Sequence, residues 1–190
     1  MKTLQEIYEG HSDDSGVGHG DKGTVHSYIE SYEKLFLPYR DKKINFLEIG
    51  IAYGESLELW HKYFSKANIF GADIHDIEIY SDKIKPGGYK DDDRFKIWIQ
   101  DATKPEFLDV IGDTKFDIII DDGSHQLHDQ IASFNLLKDR MNPGGLYIVE
   151  DVPHLDIVEI EFEEIHDNIE IIDLREVKNR YDDVLIVYRF

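Results

Sequence analysis

Phe116-Asp117-Ile118-Ile119-Ile120-Asp121-Asp122-Gly123-Ser124-His125 is an apolar run that stops abruptly at carboxylates, and Gly144-Gly145-Leu146-Tyr147-Ile148-Val149-Glu150-Asp151 repeats the pattern further along. Continuous apolar runs mark strands buried on both faces of a parallel sheet, and ligands of open α/β sheets sit at the carboxyl ends of such strands. Two strands ending this way can hold Asp122, Glu150 and Asp151 around one point, with His125 just beyond. That is an oxygen-donor site for a hard divalent cation, with a titratable base beside it.

Outward from these runs the chain alternates. Residues 44–49 read as a strand, 56–64 as a helix capped by Ser56, 68–74 as a second strand and 95–100 as a third, after a Gly87-Gly88 loop. Residues 116–120 form the fourth strand, 127–140 a helix and 146–149 the fifth strand. Segments 169–174 and 184–188 are β-rich and joined by a short charged loop, which predicts an antiparallel hairpin at the sheet edge. The expected fold is α/β, a doubly wound, seven-stranded, mostly parallel sheet with a C-terminal antiparallel hairpin. Ahead of it, residues 9–24 carry Gly10, Gly16, Gly18, Gly20 and Gly23, with Val17 as the one sizeable apolar residue. This predicts a loop or mobile arm, followed by a helix from His26 to about Phe36 that Pro38 closes. The division is thus 1–40, an arm and lid helix, and 41–190, the catalytic domain.

At 190 residues, 41% apolar, with 11 Tyr and 10 Phe, the chain can build one well-packed domain. No stretch reaches the roughly 18 apolar residues needed to cross a bilayer, the N-terminus lacks a signal pattern, and cysteine is absent. A cytoplasmic protein is expected. The net charge of −19 disfavours nucleic acid and anionic membranes as partners; a homo-oligomer stays open. Asp91-Asp92-Asp93 and Glu161-Phe162-Glu163-Glu164 read as solvated faces.

The first strand runs into Leu47-Glu48-Ile49-Gly50-Ile51-Ala52-Tyr53-Gly54-Glu55-Ser56. A glycine-bearing turn lets the backbone approach a ligand, and a helix start offers free N–H groups. A dinucleotide loop would read G-x-G-x-x-G; here Ala52 stands in the middle and Glu55 where the final glycine belongs. Asp73, ending the second strand, lies where a carboxylate grips a ribose diol. Asp101, ending the third, is placed to accept from a purine amino group. Either alone would read as a loop-start cap; their joint placement after three successive strands favours a ligand.

The run Glu48 to Gly54, then Asp73, then Asp101 resembles the cofactor motifs of class I S-adenosylmethionine-dependent methyltransferases. That resemblance implies S-adenosylmethionine as cofactor, held by Glu48, Gly50, Tyr53, Gly54, Ser56, Asp73 and Asp101. The family pattern is acidic-x-G-x-G-x-G, so Ala52 is a mild departure. A narrower likeness joins Asp21-Lys22-Gly23 ahead of His26-x-Tyr28, Leu47-Glu48-Ile49-Gly50, Ile120-Asp121-Asp122-Gly123-Ser124-His125 and Val149-Glu150-Asp151. These are similar to macrocin-type sugar O-methyltransferases, over the span from Asp21 to Val152. The resemblance implies Mg2+ held by Asp122, Glu150 and Asp151, with His125 as general base; His125 and Asp122 are the expected catalytic residues. It also implies a segment like 21–32 closing over the cofactor, against simple packing of Tyr28 and Tyr32. Macrocin-type enzymes usually carry extra segments that shape the sugar pocket, so the acceptor cannot be carried over.

The chemistry suits these positions. A divalent cation lowers the pKa of a sugar hydroxyl and fixes its aim, and a histidine titrating near neutrality can take the proton. Successive strand residues point to opposite faces, so only one of Asp121 and Asp122 serves the site, and Asp122 is favoured. Asp117 is expected to orient the strand start. A His125/His128 transition-metal pair is disfavoured because oxygen ligands dominate. The expected activity is metal-assisted O-methylation of a hydroxyl on a sugar or glycosylated small molecule. The alternatives are a catechol-type or N-methyltransferase, or a non-catalytic S-adenosylmethionine-binding module. An NAD-dependent oxidoreductase is disfavoured by Ala52 and the missing final glycine.

Overall fold

The computed structural model describes residues 2–10, 20–75 and 93–190. Gly16, Val17, Gly18, the Gly87-Gly88 loop and Asp91-Asp92 lie outside the described residues. The strands are β1 (Asn45–Ile49), β2 (Asn68–Asp73), β3 (Phe95–Ile99), β4 (Phe116–Asp121), β5 (Met141–Val149), β6 (Ile169–Asp173) and β7 (Val184–Arg189). They form one sheet in the order β3-β2-β1-β4-β5-β7-β6. The first five strands are parallel to one another, and β7 runs antiparallel between β5 and β6. The sequence-based fold is what is found. The order reverses between β1 and β4, where an open α/β sheet leaves its ligand crevice.

Side-chain alternation decides which face each strand residue serves. Phe46, Ile118, Ile120, Ile148 and Val187 pack with the N-terminal helices α1 (Leu4–Glu9), α2 (Ile29–Phe36) and α3 (Glu55–Tyr63). Leu47, Ile119, Tyr147, Val149 and Ile186 face the other layer, with α4 (Glu106–Ile111), α5 (Leu127–Leu137) and α6 (Leu155–Glu163). The first layer centres on Phe36, Phe46, Trp60 and Phe64, whose ring centroids lie 5.4–6.1 Å apart. Such aromatic pairs add about 0.5–1.5 kcal/mol each beyond the area they bury. Tyr28 and Tyr32 are fully buried here too, so residues 28–36 are a wall of the domain.

Several sequence expectations need correction. The helix expected from His26 starts at Ile29, because residues 21–26 form a turn in which Asp21 O accepts from Val25 N and His26 N. Gly54, not Ser56, precedes the first turn of α3; the Ser56 hydroxyl instead donates to Glu48 Oε2 at 2.7 Å. The charged loop before β7 contains α7 (Arg175–Lys178), whose Lys178 ammonium donates to the carbonyls of Gly23, Thr24 and His26. Short helices α1, α4 and α6 carry too few apolar turns to stand out in the sequence. On α6, Glu161, Glu163 and Glu164 are exposed, as a solvated face should be, while Phe162 anchors the helix.

Candidate active site

The turn after β1 is shaped by one contact. Gly50 has φ +77°, and a Cβ there would lie 2.0 Å from the carbonyl oxygen of Asp122. Only glycine lets the β1 and β4 ends approach this closely. From the neighbouring strand, Asp73 Oδ2 accepts from Ile51 N (3.0 Å) and Ala52 N (3.1 Å), and its Oδ1 accepts from His75 N (2.9 Å). This carboxylate therefore orders the glycine turn. Asp101 Oδ1 accepts from the Thr103 amide and hydroxyl at 2.9 and 2.7 Å. Burial pushes the Asp101 carboxyl up, but the Thr103 bonds outweigh it and hold the carboxyl below its ordinary range.

A cleft of about 920 Å³ opens at these strand ends. Gly50, Tyr53, Ser56, Asp73 and Asp101 line one part of it, and Asp122 and His125 another. Gly20, Asp21 and Lys22 close one side, tied down by the Gly20 amide donating to Glu55 Oε2 at 2.9 Å. The volume is that of a pocket for a cofactor-sized molecule. Glu48 does not line it. That residue is fully buried on the α1–α3 face, where Oε2 also accepts from Trp60 Nε1 at 3.2 Å.

Below the cleft four carboxylates converge. Glu48, Asp122 and Glu150 have the strand parity of Phe46, Ile120 and Ile148, so all three point to the α1–α3 face. Asp151 would alternate away, but its φ of +53° turns it back. Between Glu48, Asp122 and Glu150 sits the ammonium of Lys22, with a side chain only 3% exposed. It donates to Asp122 Oδ2 at 2.7 Å and to Glu150 Oε1 and Oε2 at 2.7 and 2.8 Å, and lies 3.3 Å from Glu48 Oε1. Burial alone would push this ammonium down; the three carboxylates outweigh it and hold its pKa well above the ordinary lysine value. Burial drives Glu150 well up and Glu48 up, with Lys22 opposing in both. At Asp122 burial is outweighed by Lys22 and His125, so its carboxyl stays low.

Tyrosines complete the cage. Tyr32 donates its hydroxyl to Glu150 Oε1, and Tyr28 to Asp151 Oδ1 at 2.6 Å. His26 Nδ1 lies 3.2 Å from the same Asp151 oxygen. His125 stands at the edge, with φ +58° and a side chain 39% exposed. Its Nε2 is 3.2 Å from Asp122 Oδ1 and its Nδ1 3.8 Å from Asp151 Oδ2. The bond from Asp122 raises the His125 pKa above the ordinary histidine value, burial notwithstanding.

Two overlapping groups of donors result among the described residues. Asp122, His125 and Asp151 place ligand atoms within 4.8 Å of one another, as do Glu48, Asp122 and Glu150. Asp122 belongs to both, whereas Glu150 is turned toward Lys22. Asp121 points to the opposite layer, where its carboxylate accepts from the hydroxyls of Ser133 and Tyr147. Asp117 accepts from Asn45 N at 2.8 Å and orients the start of β4. His128 is exposed beside Asp129 and makes no pair with His125.

Lys22, His26 and the tyrosine hydroxyls are partners that local sequence does not announce, since Lys22 meets Asp122 and Glu150 across 100 and 128 residues. Strand parity was the available signal for Glu48.

No family model matches the chain. It is 35% identical over 144 residues to the 8-demethyl-8-alpha-L-rhamnosyl tetracenomycin-C 2'-O-methyltransferase of Streptomyces olivaceus, covering 70% of this chain and 35% of that one. It is 34% identical over 139 residues to the mycinamicin VI 2''-O-methyltransferase of Micromonospora griseorubida, covering 68% and 32%. The chain thus spans about a third of the length of the curated relatives it matches. Among solved structures it is similar to MycE methyltransferase from the mycinamycin biosynthetic pathway, in complex with Mg and SAH. There the TM-score is 0.72 at 25% identity, covering 99% of this chain and 55% of that one.

Proposed function

The chain is a class I methyltransferase by fold and is similar to macrocin-type sugar O-methyltransferases over most of its length, and from that premise we propose its activity. It is an S-adenosylmethionine-dependent, divalent-metal-assisted O-methyltransferase, and its acceptor is a hydroxyl of a sugar or glycosylated small molecule. The observation that carries this reading is the single cleft with Gly50, Tyr53, Asp73 and Asp101 lining one part and Asp122 and His125 another. Methyl transfer from a sulfonium is an in-line displacement, so donor and acceptor must share one space.

In this reading the ordered turn from Gly50 to Gly54 receives the cofactor, Asp73 takes its ribose, and Asp101 takes its adenine amino group. Asp73 has accepting capacity left, since a carboxylate offers about four lone-pair sites and three are used here. Ser56 and Tyr53 form the adjoining wall. Glu48 acts behind the turn, through Ser56 and Lys22, rather than on the cofactor.

The acidic residues fit a hard cation by their chemistry. Glu48, Asp122 and Glu150 gather around the positive charge of Lys22, Asp151 joins Asp122 and His125 beside them, and carboxylate oxygens are the donors Mg2+ prefers. Asp122, Glu150 and Asp151 would hold it, and once bound it would act as a Lewis acid on the acceptor hydroxyl. His125 stands on the cleft side of Asp122 and takes the hydroxyl proton at Nε2 or Nδ1. Its raised pKa favours proton uptake while reducing the neutral fraction available at a given pH.

Residues 1–40 are proposed as an N-terminal arm of which the 20–26 turn covers the cleft while α2 packs as a wall, and 41–190 as the catalytic body. No helix among the described residues is long and apolar enough to cross a membrane, and a cytoplasmic location is part of the proposal. So is a small-molecule partner rather than nucleic acid, in keeping with the charge of −19. Isothermal titration with S-adenosylmethionine is the direct test: micromolar-range binding is expected, and none would remove the central claim. Release of S-adenosylhomocysteine should stop in excess EDTA and return with Mg2+; full turnover under chelation would refute the metal role.

A further inference from the structure

Both oxygens of Glu150 are bound by the Lys22 ammonium, at 2.7 and 2.8 Å, as is Asp122 Oδ2 at 2.7 Å. Two of the three carboxylates assigned above to the divalent ion are therefore already engaged by a cation belonging to the chain. Glu48 is different. It is fully buried, and its Oε1, 3.3 Å from the same ammonium, has no hydrogen-bond partner. A buried carboxylate oxygen without a donor is costly, and an ammonium has three donors to distribute.

We propose that Lys22 is a positioning residue with two stations: a resident counter-cation on Asp122 and Glu150 that retreats toward Glu48 when a divalent ion takes those carboxylates. The inference rests on the metal-assisted reading above and adds how the site is kept neutral and what sets its affinity. Without any cation, Glu48, Asp122 and Glu150 would share one largely buried volume, which the interior does not tolerate. Lys22 supplies that cation, and the orphan oxygen of Glu48 supplies its second station. Competition of this kind lowers the apparent affinity for the ion, because the ion-ready arrangement is only a fraction of the population.

The swap also couples two parts of the molecule. Lys22 belongs to the 20–26 turn that closes one side of the cleft, and that turn is tied to the body by Gly20 on Glu55 and by Lys178 on three of its carbonyls. Movement of the ammonium is thus felt at the cofactor pocket, and any change the ion makes in cofactor affinity the cofactor makes equally in affinity for the ion.

The test is calorimetric titration of Mg2+ into the wild-type chain and into Lys22→Met, with S-adenosylhomocysteine binding as the check that the variant is folded. Removing a competing unit charge from beside the site should tighten Mg2+ binding by at least about tenfold. A purely structural lysine would leave the affinity unchanged or weaken it, and either outcome overturns the proposal. Absence of Mg2+ binding in both proteins would overturn the metal reading along with it. Should Lys22→Met not fold, the wild-type chain carries the test. Its Lys22 ammonium resonance, assigned by its loss in Lys22→Arg, should shift as Mg2+ saturates; a fixed resonance during measured Mg2+ binding refutes the two-station scheme.

Discussion

Replacing Gly50 by alanine would place a methyl carbon 2.0 Å from the Asp122 carbonyl oxygen, 2.6 Å from its carbonyl carbon and 2.8 Å from Gly123 Cα. Ordinary contact begins at 3.4 Å, so the end of β4 must retreat by more than about 1 Å. A second cost comes from the backbone itself, since φ is +77° and an L-residue there loses about 1–2 kcal/mol. Gly144 separates the two costs. It has φ +79° but nothing within 4 Å of its would-be Cβ, so Gly144→Ala carries the strain alone. For a chain of this size that is a fall in Tm of roughly 2–8 °C. Gly50→Ala adds an overpacking cost of about 1–3 kcal/mol, which brings its fall to roughly 4–20 °C on the same scale. It also moves Asp122, and a displacement near 1 Å can cost about 10²-fold in turnover. Scanning calorimetry of both variants, with S-adenosylhomocysteine titration and turnover, reads all three quantities. If Gly50→Ala melts within a degree or two of Gly144→Ala and retains turnover, the close approach of β1 and β4 does not organise the site.

Asp122→Asn and His125→Ala should each lower turnover by about 10²–10⁴-fold while leaving S-adenosylhomocysteine affinity mostly intact; near-normal turnover in either variant removes that residue from the chemistry. Asp121 offers a pH test of the opposite layer. Burial pushes its carboxyl up to about 6, against an ordinary value of 3.8, with its Ser133 and Tyr147 bonds only partly opposing. A carboxyl that is more basic folded than unfolded stabilises the fold while protonated. Its contribution is full below pH 3.8 and is lost as the pH rises through about 6. Asp121→Asn should therefore gain stability relative to wild type between pH 4 and pH 7, by up to about 3 kcal/mol, seen in denaturant midpoints; a constant or shrinking difference contradicts this.

The central strands β4 and β5 were legible because residues 118–120 and 146–149 are continuous apolar runs closed by carboxylates, the pattern that burial on both faces leaves. Helix starts were less so. Ser56 has the chemistry of a cap, yet Gly54 takes that place because the glycine turn needs its left-handed conformation two residues earlier. The site was legible as a set of acids and not as a circuit. Glu48 sits in a cofactor motif, but the alternation that buries Phe46 also buries Glu48 behind the turn, out of the cleft lining. Lys22 had only its place in a motif to recommend it. Its meaning comes from partners 100 and 128 residues away, and tertiary closure alone reveals them. Asp151 escaped the alternation rule because of a single positive φ.

The position of β7 has a consequence for how this chain comes to be folded at all. The strand is fully buried except at Arg189, and it joins β5 to β6 although it follows both in sequence. As a nascent chain emerges, β5 and β6 must wait with open edges until Val184–Arg189 arrives to zip between them. Open strand edges are templates for pairing with other molecules. β7 is therefore an insertion between two strands rather than an addition at an edge, and the same insertion carries Asp182 and Asp183 into place beneath His26 and Tyr28. The segment that joins the two strand edges thus also brings partners to His26 and Tyr28, the two residues that stand against Asp151.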